Sequence, residues 1–542
     1  MAKKAKEKRR VPKMDNIEDV LKRLDQSKSK RSNFESTYES CRELFAPYME
    51  KVNGKETDGD EFDFSKIWTT EQMEAVRVFQ AGLQSYLTPR GAAWTELRMT
   101  NKDLQDNQAV KQYLEKVQEE LLYTLNNSNF HTAIAEGYLQ SIVFGTTTMM
   151  IDSDDHDRVR YTTLPIQNVT LIENANGQVS EFGIEQEMNA IQAAAKFGEE
   201  NLDPEIRGML KTEEGYTKMW CFVYHILNRE YRDKTKRDKL NMPIATQWID
   251  KTHKSRVVEG GFMEYPCATH RFYKRATSPY GYSGCTIALA DARVLNKMAK
   301  TNMIGGMKYA DPAMAVPSKG FLTKINGNPG AVNVYQRDVN KDSVFELPGG
   351  RGVPFTIEME QRYADRIRRL LYNDTFRALS NVTKEMTVPE VRQRIQESLT
   401  QLGSAIGRFE SEYLDGIIIR TIGILQRGGF LPAPPQELMI DPTYEIEYTS
   451  YLAQMRKEGN INQVFNGLNV LQQLAAFDPS VVDNLDADEA WKVAADIVGL
   501  PESITRTEPQ KQEIREARAA QAAEESKMEA VGQIADAAGK VK

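Results

Sequence analysis

The sequence predicts an α+β chain that is predominantly helical, and three observations carry that prediction. Long stretches repeat apolar residues at three- and four-residue steps, as along 70–87, 107–144, 288–307, 356–379 and 387–426. Between 146 and 275 the pattern changes to short β-prone runs separated by polar turns. Clusters of Pro and Gly, as at 279–284 and 428–435, punctuate the helical stretches.

At 542 residues the chain can bury several cores, which predicts about three or four structural units. No run of about eighteen apolar residues occurs, which argues against a membrane span. The basic N-terminus MAKKAKEKRR has no apolar stretch behind it and does not read as a secretory signal. Cys41, Cys221, Cys267 and Cys285 show neither disulfide nor metal-ligand spacing. A net charge of −7 weighs against a surface that grips nucleic acid throughout, while leaving room for local basic linings.

Taken in order, residues 1–33 are rich in Lys, Arg and Ser, with a short helical pattern through Ile17, Val20, Leu21 and Leu24, and a helix is expected over 34–49. The helix over 70–87 turns Met73, Val76, Phe79 (or Gln80) and Leu83 inward. Pro89 and Gly91 close it, and Trp94, Leu97 and Met99 alternate as a strand. Helices over 107–127 and 129–144 follow, the second ending at Gly145. The segment GTTTMMIDSDDHDRVRYTTLPI reads as a hairpin. Its acidic tip, with Asp152, Asp154, Asp155 and Asp157, lacks the Gly and closing Glu of a calcium loop and reads as a solvated turn. Residues 165–275 form an α+β body with strands at 169–172, 220–225 and 246–249 and a helix at 189–197.

The stretch SPYGYSGCTIALADARVLNKMAKTNM then couples a Pro/Gly/Ser-rich turn to a long helix. Ala288, Ala292, Leu295, Ala299 and Met303 make its apolar stripe, and Arg293, Lys297 and Lys300 fall on another face. A Pro/Gly-rich insertion with β-prone runs at 331–335 and 344–347 separates it from a second helix, 356–379. That helix carries Tyr363, Ile367 and Leu370 on one side and Arg362, Arg366 and Arg369 on another. After the loop SNVTKEM, Thr387 and Glu390 stand at capping-box spacing. The helix so begun is interrupted by Gly403, Gly407, Gly416 and Gly423, which predicts a bend or break. A strand is expected at 444–448 and helices over 450–500. The Ala/Glu/Lys-rich tail after Pro509 reads either as disordered or as a self-associating face.

No Gly-Lys-Ser/Thr phosphate loop appears, so an ATP-driven motor is not predicted. GYSGC around Ser283 is one residue short of a nucleophile elbow and reads as a turn. The five histidines lack metal-ligand spacing, no carboxylate pair stands out, and no cofactor or catalytic residue is predicted.

Three segments in one order carry a family resemblance: AGLQSYLTPRGAAWTELRM at 81–99, SPYGYSGCTIALADARVLNKM at 278–298, and MTVPEVRQRIQESLTQLGSAIGRFESEYLDGIIIRTIGILQRGGFLP at 386–432. With them the chain resembles the portal, or head-to-tail connector, proteins of short-tailed T7-like bacteriophages. The resemblance implies a ring of subunits, commonly twelve, around a double-stranded DNA channel at one capsid vertex. It implies virion localisation, with assembly in the host cytoplasm. Its implied partners are the terminase large subunit, major capsid and scaffolding proteins and tail adaptors, with no membrane.

The portal plan divides the chain into a basic flexible N-terminal segment (1–33), a wing (34–277), a hinge with first stem helix (278–310), a clip (311–352), a second stem helix (353–379) and a tunnel loop (380–387). The long interrupted helix and return strand of the wing (388–449), a helical crown (450–507) and a C-terminal tail (508–542) complete it. Candidate tunnel-loop residues are Asn381, Thr383, Lys384 and Glu385. Candidate stem residues are Arg293, Lys297, Lys300, Arg362, Arg366 and Arg369, each facing either the channel, a neighbouring subunit or solvent. Candidate clip contacts to motor or adaptor are Lys319, Lys324, Arg337, Lys341 and Arg351. The alternatives are a DNA-processing packaging enzyme and a non-ring head–tail adaptor.

Overall fold

The structure, a computed structural model, describes residues 16–52, 64–101, 107–229, 238–276, 278–310, 314–315, 345–346, 353–380, 403, 406–436, 438, 444–448, 511–518 and 520–521. The chain divides into two compact units, Met1–Arg90 with Thr124–Ile424 and Gly91–Tyr123 with Leu425–Lys542.

The first unit begins with α1 (Ile17–Phe45), which no Gly or Pro interrupts. Residues 17–33, expected to be part of a flexible segment, are instead its first turns. Val20, Leu21, Leu24, Ser27 and Arg31 continue the same buried stripe as Tyr38, Cys41 and Phe45. In α2 (Glu71–Leu87) Phe79 takes the inward position, while Gln80 reaches sideways to donate to the Ala135 carbonyl at 2.8 Å. Met73 is only half-buried, because Gln72 occupies the core position expected for it. The helix α3 (Gln108–Asn127), all but its last turn in the second unit, and α4 (Phe130–Phe144) follow as expected. Gly145 ends α4 at φ 80, a left-handed conformation that favours glycine.

The predicted hairpin is present as β2 (Thr146–Asp154) and β3 (Arg158–Leu164), paired antiparallel from Thr148↔Leu164 to Asp154↔Arg158. At its tip Asp154 Oδ1 accepts the backbone N–H of His156 (2.7 Å) and of Asp157 (3.1 Å). The α+β body is a five-stranded antiparallel meander of β4 (Val169–Glu173), β5 (Val179–Asn189), β6 (Met219–Asn228), β7 (Ile244–Asp250) and β8 (Ser255–Phe262). Because side chains alternate across a strand, Phe222 and Val223 of β6 serve two cores. Phe222 packs with Phe197, Ile206 and Trp220 under a helical cap, α5 (Ala190–Phe197), α6 (Pro204–Met209) and α7 (Glu214–Thr217). Val223 and Ile249 pack on the opposite face against Val20, Leu21 and Leu24 of α1. The strand β9 (Cys267–Arg271) pairs with β2, and β10 (Tyr273–Arg275) with β11 (Ser278–Tyr282).

Past β11 run α8 (Gly284–Ala310), a short ladder of β12 (Met314–Ala315) with β13 (Phe345–Glu346), and α9 (Val353–Leu370). The single helix expected over 356–379 is broken: Tyr372 adopts φ 56 and α10 (Asn373–Ser380) restarts beyond it. Leu371 and Phe376 are five residues apart, a spacing that would splay them on one straight helix. The break buries both, with the Phe376 ring against Gly82 and 5.7 Å from that of Phe79. Of the long glycine-interrupted helix, the structure describes a π-helical turn, Phe409–Leu414, leading into α11 (Asp415–Arg427). This irregularity lies between Gly407 and Gly416, and its wider turn directs Phe409, Tyr413 and Leu414 all inward.

In the second unit β1 (Thr95–Met99) pairs antiparallel with β14 (Tyr444–Tyr448), from Thr95↔Tyr448 to Met99↔Tyr444. Thr95 rather than Trp94 shares the inward face with Leu97 and Met99. Trp94 precedes the strand and stacks on Tyr448 with centroids 6.5 Å apart. The expected helices over 450–500 lie outside the described residues.

Candidate functional site

The site begins at SPYGYSG, expected to be a hinge and found to be a built strand with a capped helix behind it. Gly281 sits where a Cβ would lie 2.4 Å from the Gly145 carbonyl oxygen. Its own N–H donates to Thr146 Oγ1 (2.8 Å), and its carbonyl accepts from Tyr38 OH (3.0 Å). Tyr280, buried, accepts the Leu171 N–H at 3.2 Å. Ser283 then caps α8: its Oγ accepts the Thr286 N–H at 3.0 Å and donates to the Val143 carbonyl at 2.9 Å. Those commitments give Ser283 a structural role and agree with reading GYSGC as a turn.

From this anchor α8 and α9 pack antiparallel. Gly284 lies against Leu371, Arg366 Nη2 reaches Asp291 at 3.3 Å, and Asn302 donates to Glu360. The apolar stripe of α8 is buried through Ala288, Ala292, Leu295 and Ala299 as expected, but Met303 is exposed. Beyond Ala299 no residue of the helix is fully buried. Ile304, Met307 and Tyr309 (77 % exposed) stand out there, and so do Phe355 (67 %) and Ile357 at the facing start of α9. Exposed apolar side chains gathered at one end of a helix pair mark an interaction surface.

The basic residues of the pair are largely tied within their own subunit. Arg293 donates to Ser40 Oγ (2.9 Å), and Lys300 lies over the Trp68 ring at 4.7 Å. Asn296 between them clamps the segment that carries Trp68, accepting the Trp68 N–H and donating to the Lys66 carbonyl, each at 2.8 Å. Arg362 pairs with Glu358 at 2.6 Å one turn earlier, and Arg369 donates to the Asp365 carbonyl at 3.3 Å. Lys297 is exposed. Arg368, absent from the sequence-level candidates, bridges Glu71 of α2 and Asp365. The candidates Asn381, Thr383, Lys384 and Glu385, and Lys319, Lys324, Arg337, Lys341 and Arg351, lie outside the described residues.

Behind the helix pair, three buried arginines that periodicity did not single out hold the first unit together. Arg31 donates to the Ile166 and Val169 carbonyls, and Arg420 pairs with Glu264 at 3.1 Å. Arg271, on β9, joins Glu173 to Glu412 of the π turn. Burial pushes the Cys41 thiol up to about 12 and raises Cys285 well above its ordinary value, so these free thiols are core residues.

Residues 18–505 match the family model described as bacteriophage head to tail connecting protein. The chain belongs to that family. Among curated relatives of this connecting protein, the portal protein of Salmonella phage epsilon15 is 28% identical over 527 residues, covering 96% of this chain and 94% of the relative. A probable portal protein of Bordetella phage BPP-1 is 25% identical over 539 residues, again covering 96% and 94%. No described helix of the connecting protein is long and apolar enough to cross a membrane.

Proposed function

We propose that the chain is a portal subunit, building a ring at one capsid vertex through which double-stranded DNA enters during packaging and leaves at ejection. The observation that carries this reading is the α8/α9 pair, anchored by SPYGYSG at one end and presenting Met303, Ile304, Met307, Tyr309, Phe355 and Ile357 at the other. A monomer gains nothing by exposing these side chains, whereas neighbouring copies around a ring bury them.

In this reading α8 and α9 are the stem, and the segment between them is the clip that meets the terminase motor and later the tail adaptors. Residues 380–387 form the tunnel loop, the five-stranded sheet belongs to the wing, and 450–507 to the crown. The subunit is structural and carries no catalysis. Its partners are further copies of itself, commonly twelve in all, double-stranded DNA that passes through the channel without sequence specificity, and the capsid, scaffolding, terminase and adaptor proteins. Electron-microscopy class averages of the purified protein are expected to show closed rings with a central hole. A protein that stays monomeric across concentrations overturns the proposal, and magnesium-dependent DNA cleavage or ATP turnover would favour a packaging enzyme instead.

A further inference from the structure

We propose that His253, in the turn between β7 and β8, is a proton-operated latch that fastens the first turn of α6, and with it the helical cap of the sheet, to the sheet edge. The geometry is that of an imidazole with acceptors on both sides. Nδ1 lies 2.6 Å from Asp250 Oδ2, and Nε2 lies 3.1 Å from Glu205 Oε2 and 3.7 Å from Asp203 Oδ1. Carboxylate oxygens only accept, so both ring nitrogens must carry hydrogen for both contacts to hold, which is the imidazolium form.

The two sides are unequal. The Asp250 side chain is 1% exposed, and its other oxygen accepts the backbone N–H of Thr252 (2.8 Å) and of His253 (3.2 Å), so the turn itself holds it in place. Glu205 is half-exposed and sits in a helix of six residues, with Lys218 as its other side-chain partner. When the ring loses one proton, Nδ1 keeps its hydrogen for Asp250, and Nε2 turns a lone pair toward Glu205 and Asp203. The latch then opens on the α6 side.

The surrounding charges are these. From α6 come Asp203 and Glu205, and from the approach to β6 comes Lys218, which holds Glu205 Oε1 at 3.0 Å. From the turn come Asp250, Lys251 and Lys254; Lys251 pairs with Glu185 of β5 at 2.7 Å and reaches Asp25 of α1 at 3.5 Å, and Lys254 reaches Glu18 of α1 at 3.6 Å. The hydrogen bond to Asp250, with smaller contributions from Glu205 and Asp203, raises the His253 pKa above its ordinary value despite partial burial. A histidine raised in the folded state contributes stability that is fully present below its unfolded value of about 6.5 and is lost as pH rises through the folded one.

Amide hydrogen exchange of the assembled protein, corrected for intrinsic rate, tests the latch at pH values from 6 to 9. Protection across 203–209 is expected to fall about fivefold over this range in the wild type, a modest effect because the bond joins partly exposed groups. His253→Gln and Glu205→Gln are each expected to make that protection independent of pH, while strands β5 to β7 stay protected in all three proteins. Wild-type protection that does not change with pH, or a pH dependence that survives in His253→Gln, overturns the proposal.

Discussion

Replacing Gly281 by alanine tests whether SPYGYSG is a hinge or a packed strand. The added Cβ would lie 2.4 Å from the Gly145 carbonyl oxygen, 3.2 Å from the Phe272 nitrogen and 3.3 Å from the Arg271 Cα. Carbon and oxygen without a strong bond approach to about 3.3 Å, so the strand must retreat by roughly 0.9 Å. All three neighbours are backbone atoms, so no side chain can swing aside. The retreat stretches the two hydrogen bonds that Gly281 itself makes, Tyr38 OH to its carbonyl at 3.0 Å and its N–H to Thr146 Oγ1 at 2.8 Å. At about 1 kcal/mol for each bond, and about 1–3 kcal/mol for overpacking, the cost comes to about 3–5 kcal/mol.

A chain of 542 residues in two units need not unfold in one step, so the readout is the denaturant midpoint of the first cooperative loss of near-ultraviolet dichroism. Gly306→Ala is the control: it lies in the same helix system with nothing within 4 Å of its Cβ position, and it is expected to be neutral or to stabilise by up to about 1 kcal/mol. A Gly281→Ala midpoint equal to that of the wild type would show that the strand is free to yield, and would refute the packed reading.

Two further substitutions probe the frame behind the helix pair. Arg271→Met leaves Glu173 and Glu412 without their shared buried partner and is expected to destabilise by about 3–5 kcal/mol, with Glu412→Gln added to the variant recovering part of the loss; equal midpoints for the variant and the wild type would exclude this role. Glu410→Gln tests the π turn, where burial first and Asp415 second push the Glu410 carboxyl up to about 7 from an ordinary 4.5. Because the folded protein holds that proton more tightly, wild-type stability falls as pH rises from about 4.5 through about 7. The advantage of the glutamine variant should therefore grow over that window and level off above it, and a difference in denaturation midpoint that is the same at pH 5 and pH 8 would contradict the assignment.

What could be read from the sequence was what local chemistry decides. The Gly145 stop, the β2–β3 hairpin, the strand at 444–448 and the long helices α2, α4 and α8 all follow from spacing and punctuation. The failures share a cause, which is pairing with a partner far away in the chain. The first half of α1 looked like a solvated basic segment because Arg23 and Lys28 find Glu181 and Glu185 more than 150 residues later. The same pairs hold β5, a strand missing from the sequence expectations, against α1. The cap at Ser283 is an exception, since its signal is local, a Ser with a Thr three residues on within a stretch that also reads as a turn.

The fate of the basic stripes bears on how a conduit handles DNA. Of the six basic residues proposed for the stem, five are engaged inside the subunit by Ser40, Trp68, Glu358, Asp291 and the Asp365 carbonyl. Each phosphate neutralised by a cation releases counterions and tightens attachment by a salt-dependent amount, with a slope of about 0.9 per contact. A cation already held beside a carboxylate contributes less of this attraction, since the field it presents is partly cancelled by its partner. For a motor the loss would weaken its hold on the substrate, but for a passage it keeps the duplex from being retained as it moves through. Arg366, paired with Asp291 across α8 and α9, would therefore serve the proposed portal twice: it fixes one helix on the other, and it would leave a channel lining there only weakly attractive to what passes.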